Sequence, residues 1–341
     1  MSRRRASGPS QSIRIRDVAR HAGVSPMTVS RALRDPAKVS EGLRRRVEAA
    51  VSQIGYLPNR LAGNLSSNRS NVVGMIVPSI LNSLFANTIQ GISDVLRREG
   101  YHLMLADSGY SLEEEEAIVT TFLQQRICGL VLHNTKHTAA TRRLIEKAAV
   151  PVVEVGNLSA SPLDMTVSYS NFEAAKAMTL HLAQLGYRRI GFVSLPLQDN
   201  ERSSERRRGY LAALDEAGLS SDPAIMLEVS GGFASGGKAI ARLVQTDEEI
   251  DAVFFAGDVL AVGALFECQR RGWPVPGRVA IASFDDVDLL RNVIPAITTL
   301  RIPRYEIGRR SAEVLLDRVS GRSAEPVAID MKFEIIQRDS A

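Results

Sequence analysis

Residues 15–65 read IRDVARHAGVSPMTVSRALRDPAKVSEGLRRRVEAAVSQIGYLPNRLAGNL. Ile15, Val18, Ala19 and Ala22 recur at helical spacing, so the stretch opens with an amphipathic helix. Gly23 follows where a left-handed residue ends a helix. Ser25 then stands as an N-cap, with Pro26 just inside a second helix. Val29, Ala32 and Leu33 give that helix its apolar side, and Asp35-Pro36 ends it. A third helix is expected over Glu41–Ile54, with Leu43, Val47, Ala50, Val51 and Ile54 as its stripe and Gly55 closing it. Helix, glycine turn and helix is the layout that places its second helix in the DNA major groove.

Charge agrees with that placement. Residues 1–70 carry 14 Lys+Arg and 4 Asp+Glu, a net +10, while the other residues carry 28 and 34, a net −6. A basic head on a mildly acidic body suits a polyanionic partner. The chain has 341 residues, 45% apolar and 23% charged, which fits a globular protein of two or three domains. No apolar run approaches a membrane span, and the basic N-terminus MSRRRASGPSQS lacks the apolar core of a secretory signal. Cys128 and Cys268 stand far apart with no CxxC around them. No disulfide framework or zinc site is expected, and a cytoplasmic setting is.

The words DVA, AGVS, TVSR, VS and GYLPN, with the spaced Ala62 and Leu65, resemble the DNA-binding head and hinge of the lac repressor (LacI/GalR) family of bacterial regulators. The resemblance covers all but the first dozen residues. It implies that Pro26, Met27 and Arg31 meet base edges. Arg31 is the best suited chemically, because its fork bonds guanine O6 and N7 together. Thr28, Ser30 and Asn59 fit phosphate contacts. Residues 59–70 match a hinge helix that folds on operator DNA, with Leu65 as an apolar wedge in the minor groove. The expected divisions are a disordered basic tail over 1–12, the helix-turn-helix head over 13–58, the hinge over 59–70 and a two-lobed body over 71–341.

From Asn71 onward, apolar strands alternate with helices in two series, beginning with VVGMIVP (72–78) and RIGFV (189–193). Repeated βα units imply parallel sheets flanked by helices. The fold class expected is therefore α/β: an all-α head and hinge helix, then a body like a periplasmic binding protein. The resemblance implies three crossings between lobes, near Ser168–Asn171, Asp285–Asp288 and Leu300–Pro303. That gives one lobe of about 71–168 with 288–301, and a second of about 169–285 with 303–341. A small-molecule effector belongs between them, at the carboxyl ends of the strands.

Several residues match effector positions of the family. Arg206, in RRRGY, grips ligand hydroxyls or carboxylate, and Asp285, in SFDD, binds hydroxyls. Asp258 opens GDVLAVGAL, where Gly257 replaces the family's usual Asn. Phe85 and Phe233 are candidate apolar walls. Arg202 and Arg304 are departures from the lac repressor itself, and Glu154, in PVVEV, is expected at another strand end facing the cleft. Extra guanidiniums in a cleft imply an anion, since a buried unpaired charge is costly and a fork matches a carboxylate. With PVVE, LAVGALFECQR and PRYEIG, they look most like the gluconate-operon repressor branch.

The expected function is a repressor of sugar-acid catabolic genes, released from a palindromic operator by gluconate or a related acid. A homodimer is expected because one helix-turn-helix reads too few bases, and because no leucine-heptad tail follows Arg338. A same-family regulator answering to a neutral sugar or other metabolite is the alternative. A solute-binding transport protein would share the body but not the basic head. No catalytic triad, phosphate loop or dinucleotide fingerprint stands out, so neither enzyme activity nor a cofactor or metal is expected. His21, His102, His133, His137 and His181 read as structural or surface residues.

Overall fold

The computed structural model describes residues 13–56 and 70–341, and divides into two units at Ser70/Asn71. The expected basic tail over 1–12 and nearly all of the expected hinge, with Asn59 and Leu65, lie outside the described residues.

The first unit contains α1 (Ile15–Ala22), α2 (Pro26–Arg34) and α3 (Glu41–Ile54). Gly23 takes φ 63°, ψ 40°, and its N–H donates back to the carbonyls of Ala19 and Arg20. The left-handed turn a glycine adopts without strain thus sets the angle between α1 and α2. Ser25 Oγ accepts from Thr28 N at 3.1 Å, and Pro26 costs nothing because a first-turn N–H lacks a helical partner anyway. Val18, Ala19, Val29, Ala32, Val47 and Ala50 are buried together, so each helix contributes two residues to one small core.

The second unit is the two-lobed α/β body. Its first sheet has the order β11-β5-β4-β3-β1-β2, built from β1 (Val72–Val77), β2 (His102–Asp107), β3 (Gly129–Leu132), β4 (Val152–Glu154), β5 (Met165–Ser168) and β11 (Ala328–Asp330). All its pairings are parallel, beginning with Val72 beside His102 and Val73 beside Gly129. The second sheet runs β12-β10-β9-β8-β6-β7, from β6 (Ile190–Ser194), β7 (Met226–Glu228), β8 (Ala252–Phe255), β9 (Ala280–Phe284), β10 (Thr298–Arg301) and β12 (Glu334–Ile336). Only the pair β10–β12 is antiparallel. The central strands β3, β6, β8 and β9 are buried throughout, as continuous apolar runs covered on both faces must be.

Eight longer helices flank the sheets: α4 (Ala86–Arg98), α5 (Leu112–Gln124), α6 (Ala139–Ala148), α7 (Asn171–Gln184), α8 (Glu201–Glu216), α9 (Phe233–Thr246), α10 (Asp258–Arg271) and α12 (Arg304–Val319); the short α11 covers Asp288–Asn292. Helices α4 and α12 pack at near-backbone contact. A Cβ on Gly91 would lie 2.2 Å from the Tyr305 carbonyl oxygen, and one on Gly308 2.1 Å from that of Thr88. No side chain fits at either position, so these glycines fix how close α12 comes to α4.

The lobes divide differently from the expectation. Strand β10 pairs with β9, Thr298 beside Ala282, and so belongs to the second sheet, not the first. Helix α12 packs on α4, β3 and β5 of the first lobe, not the second. The crossings lie at 168–171, 301–304 and 330–334; the segment 285–288 stays within the second lobe, joining β9 to α11. The physical reason is that α11 is too short to cover a sheet, so β10 returns beside β9. The next full helix, α12, then buries Ile307, Ala312 and Leu315 against the first lobe.

Candidate functional site

On the head, Pro26, Met27 and Arg31 share the solvent-facing side of α2. Met27 is 73% exposed, an apolar side chain held in water at the start of a helix. Arg31 is exposed and has no ion pair among the described residues. Thr28 and Ser30 are half-buried, and Thr28 Oγ1 lies 2.8 Å from Ser25 Oγ. The face therefore offers one free guanidinium fork, apolar neighbours and hydroxyls at its edge, while Val29 and Ala32 point into the core.

In the body, a cavity of about 590 Å³ opens between the lobes, within the roughly 300–1,000 Å³ of small-molecule sites. Phe85, Arg202, Arg206, Asp258, Asp285 and Arg304 all line it. They come from both sequence halves: Phe85 precedes α4, Arg202 and Arg206 are one turn apart on α8, Asp258 starts α10, Asp285 follows β9 and Arg304 starts α12. Their side chains meet at the carboxyl ends of strands, as the fold dictates.

Three arginines, each 6–7% exposed, dominate the site. Arg206 donates from Nε to Asn171 Oδ1 at 2.8 Å, from Nη1 to the Ala256 carbonyl at 2.7 Å and from Nη2 to the Tyr169 hydroxyl at 3.2 Å. Its guanidinium carbon sits 3.6 Å over the Phe284 ring. Arg304 donates from Nε and Nη2 to one oxygen, Asp285 Oδ1, at 2.8 and 2.6 Å, and from Nη2 to Tyr169 at 3.1 Å. Burial works against the Arg304 charge, but Asp285 and Tyr169 together outweigh it and hold the group protonated. Arg202 reaches across the cleft to the His133 carbonyl and Asn134 Oδ1 at 3.1 and 2.9 Å.

The acidic side is weaker. Asp285 sits at φ 73°, a left-handed conformation that Asp tolerates better than most residues. Its Oδ2 is buried with no partner. Burial first, and the Asp285 charge second, push the Asp258 carboxyl up to about 6. Three fixed cations thus face the Asp285 carboxylate paired to Arg304, the Glu201 carboxylate 3.5 Å from Arg202, and Asp258, which titrates at about 6.

Two sequence candidates fall elsewhere. Glu154 does not line the cavity; it is fully buried in the first lobe, with Oε1 3.1 Å from His137 Nε2. A strand-end residue pointing under the sheet meets the core, not the cleft. Phe233 is also outside the cavity, 47% exposed with its ring 6.1 Å from Phe266, because α9 places its first side chain on the outer surface. Only the preceding Gly231 and Gly232 reach the rim.

Conversely, His133 lines the cavity although it was expected to be structural or at the surface. Its ring packs edge-on to Phe85 at 4.5 Å, and both ring nitrogens lack partners. Burial, then Arg202 and Arg304, hold its pKa well below the usual range, so it stays neutral. The signal in the sequence was its place, immediately after β3 on a sheet whose strand ends face ligand. Tyr169 and Asn171, which orient Arg206, flank the first crossing and carried no separate signal.

A basic three-helix head with an open reading face, joined to a two-lobed body with a polar cleft, defines a ligand-responsive DNA-binding transcriptional regulator. Residues 14–59 match the family described as "Bacterial regulatory proteins, lacI family", and residues 179–341 match a periplasmic binding protein-like domain. The HTH-type transcriptional regulator GntR of Escherichia coli is 39% identical over 321 residues, covering 94% of this chain and 96% of that protein. The regulator of the same name from Pseudomonas aeruginosa is 37% identical over 328 residues, 96% of this chain and 95% of that one. A crystal structure of a LacI-family regulator from Silicibacter pomeroyi superposes with a TM-score of 0.89 at 31% identity, covering 96% of this chain and 99% of that one. The chain belongs to the lacI family of bacterial transcriptional regulators. Its relatives are regulators and not enzymes, and it acts as a DNA-binding regulator rather than a catalyst. Among the described residues, no helix is long and apolar enough to cross a membrane.

Proposed function

We propose that this regulator is a cytoplasmic repressor of sugar-acid catabolic genes, and that a small acid of the gluconate type binds between its lobes and releases it from DNA. The observation that carries this reading is the convergence of Arg202, Arg206 and Arg304 in one buried cavity. A carboxylate on the ligand matches the guanidinium edges that line the cavity, and its hydroxyls meet Asp285 Oδ2, Asp258 and His133, whereas a neutral sugar makes only the hydroxyl contacts. Similarity to GntR regulators in two organisms points the same way.

In this reading, Arg31 reads a guanine, Pro26 and Met27 meet thymine methyls or shape, and Thr28, Ser30 and Asn59 hold phosphates. Leu65 wedges the minor groove. The protein works as a homodimer on a two-fold operator, because a single reading helix spans too few base pairs.

Thermal unfolding in the presence of ligand tests the effector class. Gluconate, its keto form or its phosphorylated form is expected to raise Tm, and glucose at the same concentration to leave it unchanged. A neutral hexose or a purine that stabilises the protein when every sugar acid fails contradicts the reading.

A further inference from the structure

The three cleft arginines differ in which nitrogens are already engaged. Arg206 uses Nε, Nη1 and Nη2. Arg304 commits its Nε/Nη2 edge to Asp285 and Tyr169. Arg202 bonds through Nη1 alone, to the His133 carbonyl, to Asn134 Oδ1 and, at 3.5 Å, to Glu201 Oε1. Nε and Nη2 form the guanidinium edge that matches the two oxygens of a carboxylate. In Arg202 neither has a protein acceptor among the described residues, although the residue is 6% exposed and lines the cavity.

Behind Nη1 a polar chain runs into the core of the first lobe. Asn134 Nδ2 donates to Glu115 Oε2 at 2.9 Å. His137 stands 2.5 Å from Glu115 Oε1 through Nδ1 and 3.1 Å from Glu154 Oε1 through Nε2. Glu115, His137 and Glu154 are all buried. Burial alone would strip the proton from His137, but the two carboxylates raise its pKa to about 9. The protonated ring donates at both nitrogens, so both carboxylates remain acceptors. Glu115 thereby determines how Asn134 sits. The Asn amide must turn its NH₂ to the carboxylate, which leaves Oδ1 facing Arg202. Flipped, it would set donor against donor on one side and oxygen against oxygen on the other.

We propose that Arg202 receives the effector's carboxylate on its free Nε/Nη2 edge, and that Asn134, Glu115, His137 and Glu154 are positioning residues that hold it there. The assignment rests on the acid-effector reading above and names the residue that separates acid from neutral ligand. Arg304, spent on Asp285, is left to orient that carboxylate toward hydroxyls.

Calorimetry on the full-length protein tests it, with gluconate, its keto and 6-phospho forms, and glucose as probes. Wild type is expected to bind at least one acid. Arg202→Gln should weaken that acid by about 10- to 100-fold, and Arg202→Lys, with charge but no fork, should recover only part. Glu115→Gln should weaken the acid by roughly 3- to 10-fold in wild type and not at all in the Arg202→Gln background, since the two act through one contact. Asn134→Ser provides the same cycle if Glu115→Gln does not fold. Acid binding unchanged in both Arg202 variants overturns the carboxylate assignment. Effects of Glu115 and Arg202 that simply add overturn the positioning role, which a purely structural contribution would produce. Failure of wild type to bind any acid overturns the effector reading, and this assignment with it.

Discussion

His137 shows how much a single residue depends on partners far away in sequence. Glu115 and Glu154 lie 22 and 17 residues from it, on different elements, and close on its ring from both sides. Burial pulls its pKa down, and the two carboxylates more than reverse that, to about 9. The folded-state value lies above the ordinary 6.5, so the ion cluster contributes its full stability below about pH 6.5. It loses that contribution as pH rises through 9. Wild type should therefore lose on the order of a few kcal/mol between pH 6.5 and 9.5, and His137→Gln should show a flatter profile. Urea unfolding at pH 6, 7.5 and 9.5 reads the slope directly; parallel profiles for the two proteins would show that His137 carries no such charge. The sequence offered no hint of this cluster. Glu154 was legible as a polar residue at a strand end, but whether it turned into cleft or core depended on His137 and Glu115. Arg202, Arg206, Asp285 and Arg304 were legible as cleft-lining residues because each sits at a strand end or in the first two turns of a helix, in a motif with a known place in the fold.

At the scale of elements, the head was readable almost residue by residue. Its signals are local: Gly23 ends α1, Ser25 caps α2, and Val29 and Ala32 mark the buried face. What remains outward is Pro26, Met27 and Arg31. Arg31→Ala should cost about 1–3 kcal/mol in affinity for the specific site and much less on unrelated DNA. Equal losses on both, measured by fluorescence anisotropy at one salt concentration, would make Arg31 a phosphate contact. The last sixty residues were less readable. Strand β10 carries TTLR, which states that it is a strand but not which sheet it joins. That choice is made by pairing with β9 and by the C-terminal segment, where Ser340 Oγ accepts from Thr298 N at 2.9 Å and donates to the Ile281 carbonyl at 2.6 Å. Helix α12 then crosses to the other lobe because Gly91 and Gly308 let its backbone lie against α4. The α4–α12 contacts join residues more than two hundred positions apart and leave no periodic trace.

The whole molecule couples two chemistries of opposite sign. Residues 1–70 carry a net +10 that suits the phosphate backbone, and the body carries −6 overall yet buries three arginines in its cleft. Those cations are local exceptions to the charge around them, which is why they point to an anionic ligand rather than to a second nucleic-acid surface. Ligand binding alters DNA affinity only if the ligand favours one arrangement of the lobes over another. Arg202 and Arg304 both span the cleft, Arg202 by bonding to the first lobe and Arg304 by starting a first-lobe helix while paired to Asp285 of the second. The central claim is that a sugar acid entering this cleft lowers affinity for operator DNA. The most direct measurement is fluorescence anisotropy of the full-length protein on DNA from upstream of its own operon, titrated with gluconate and its keto and phosphorylated forms beside glucose. At least one acid should weaken binding by about tenfold or more, a differential affinity of roughly 1.4 kcal/mol or greater, with glucose inert. Specific binding that no acid alters, while a neutral hexose releases it, would contradict the claim.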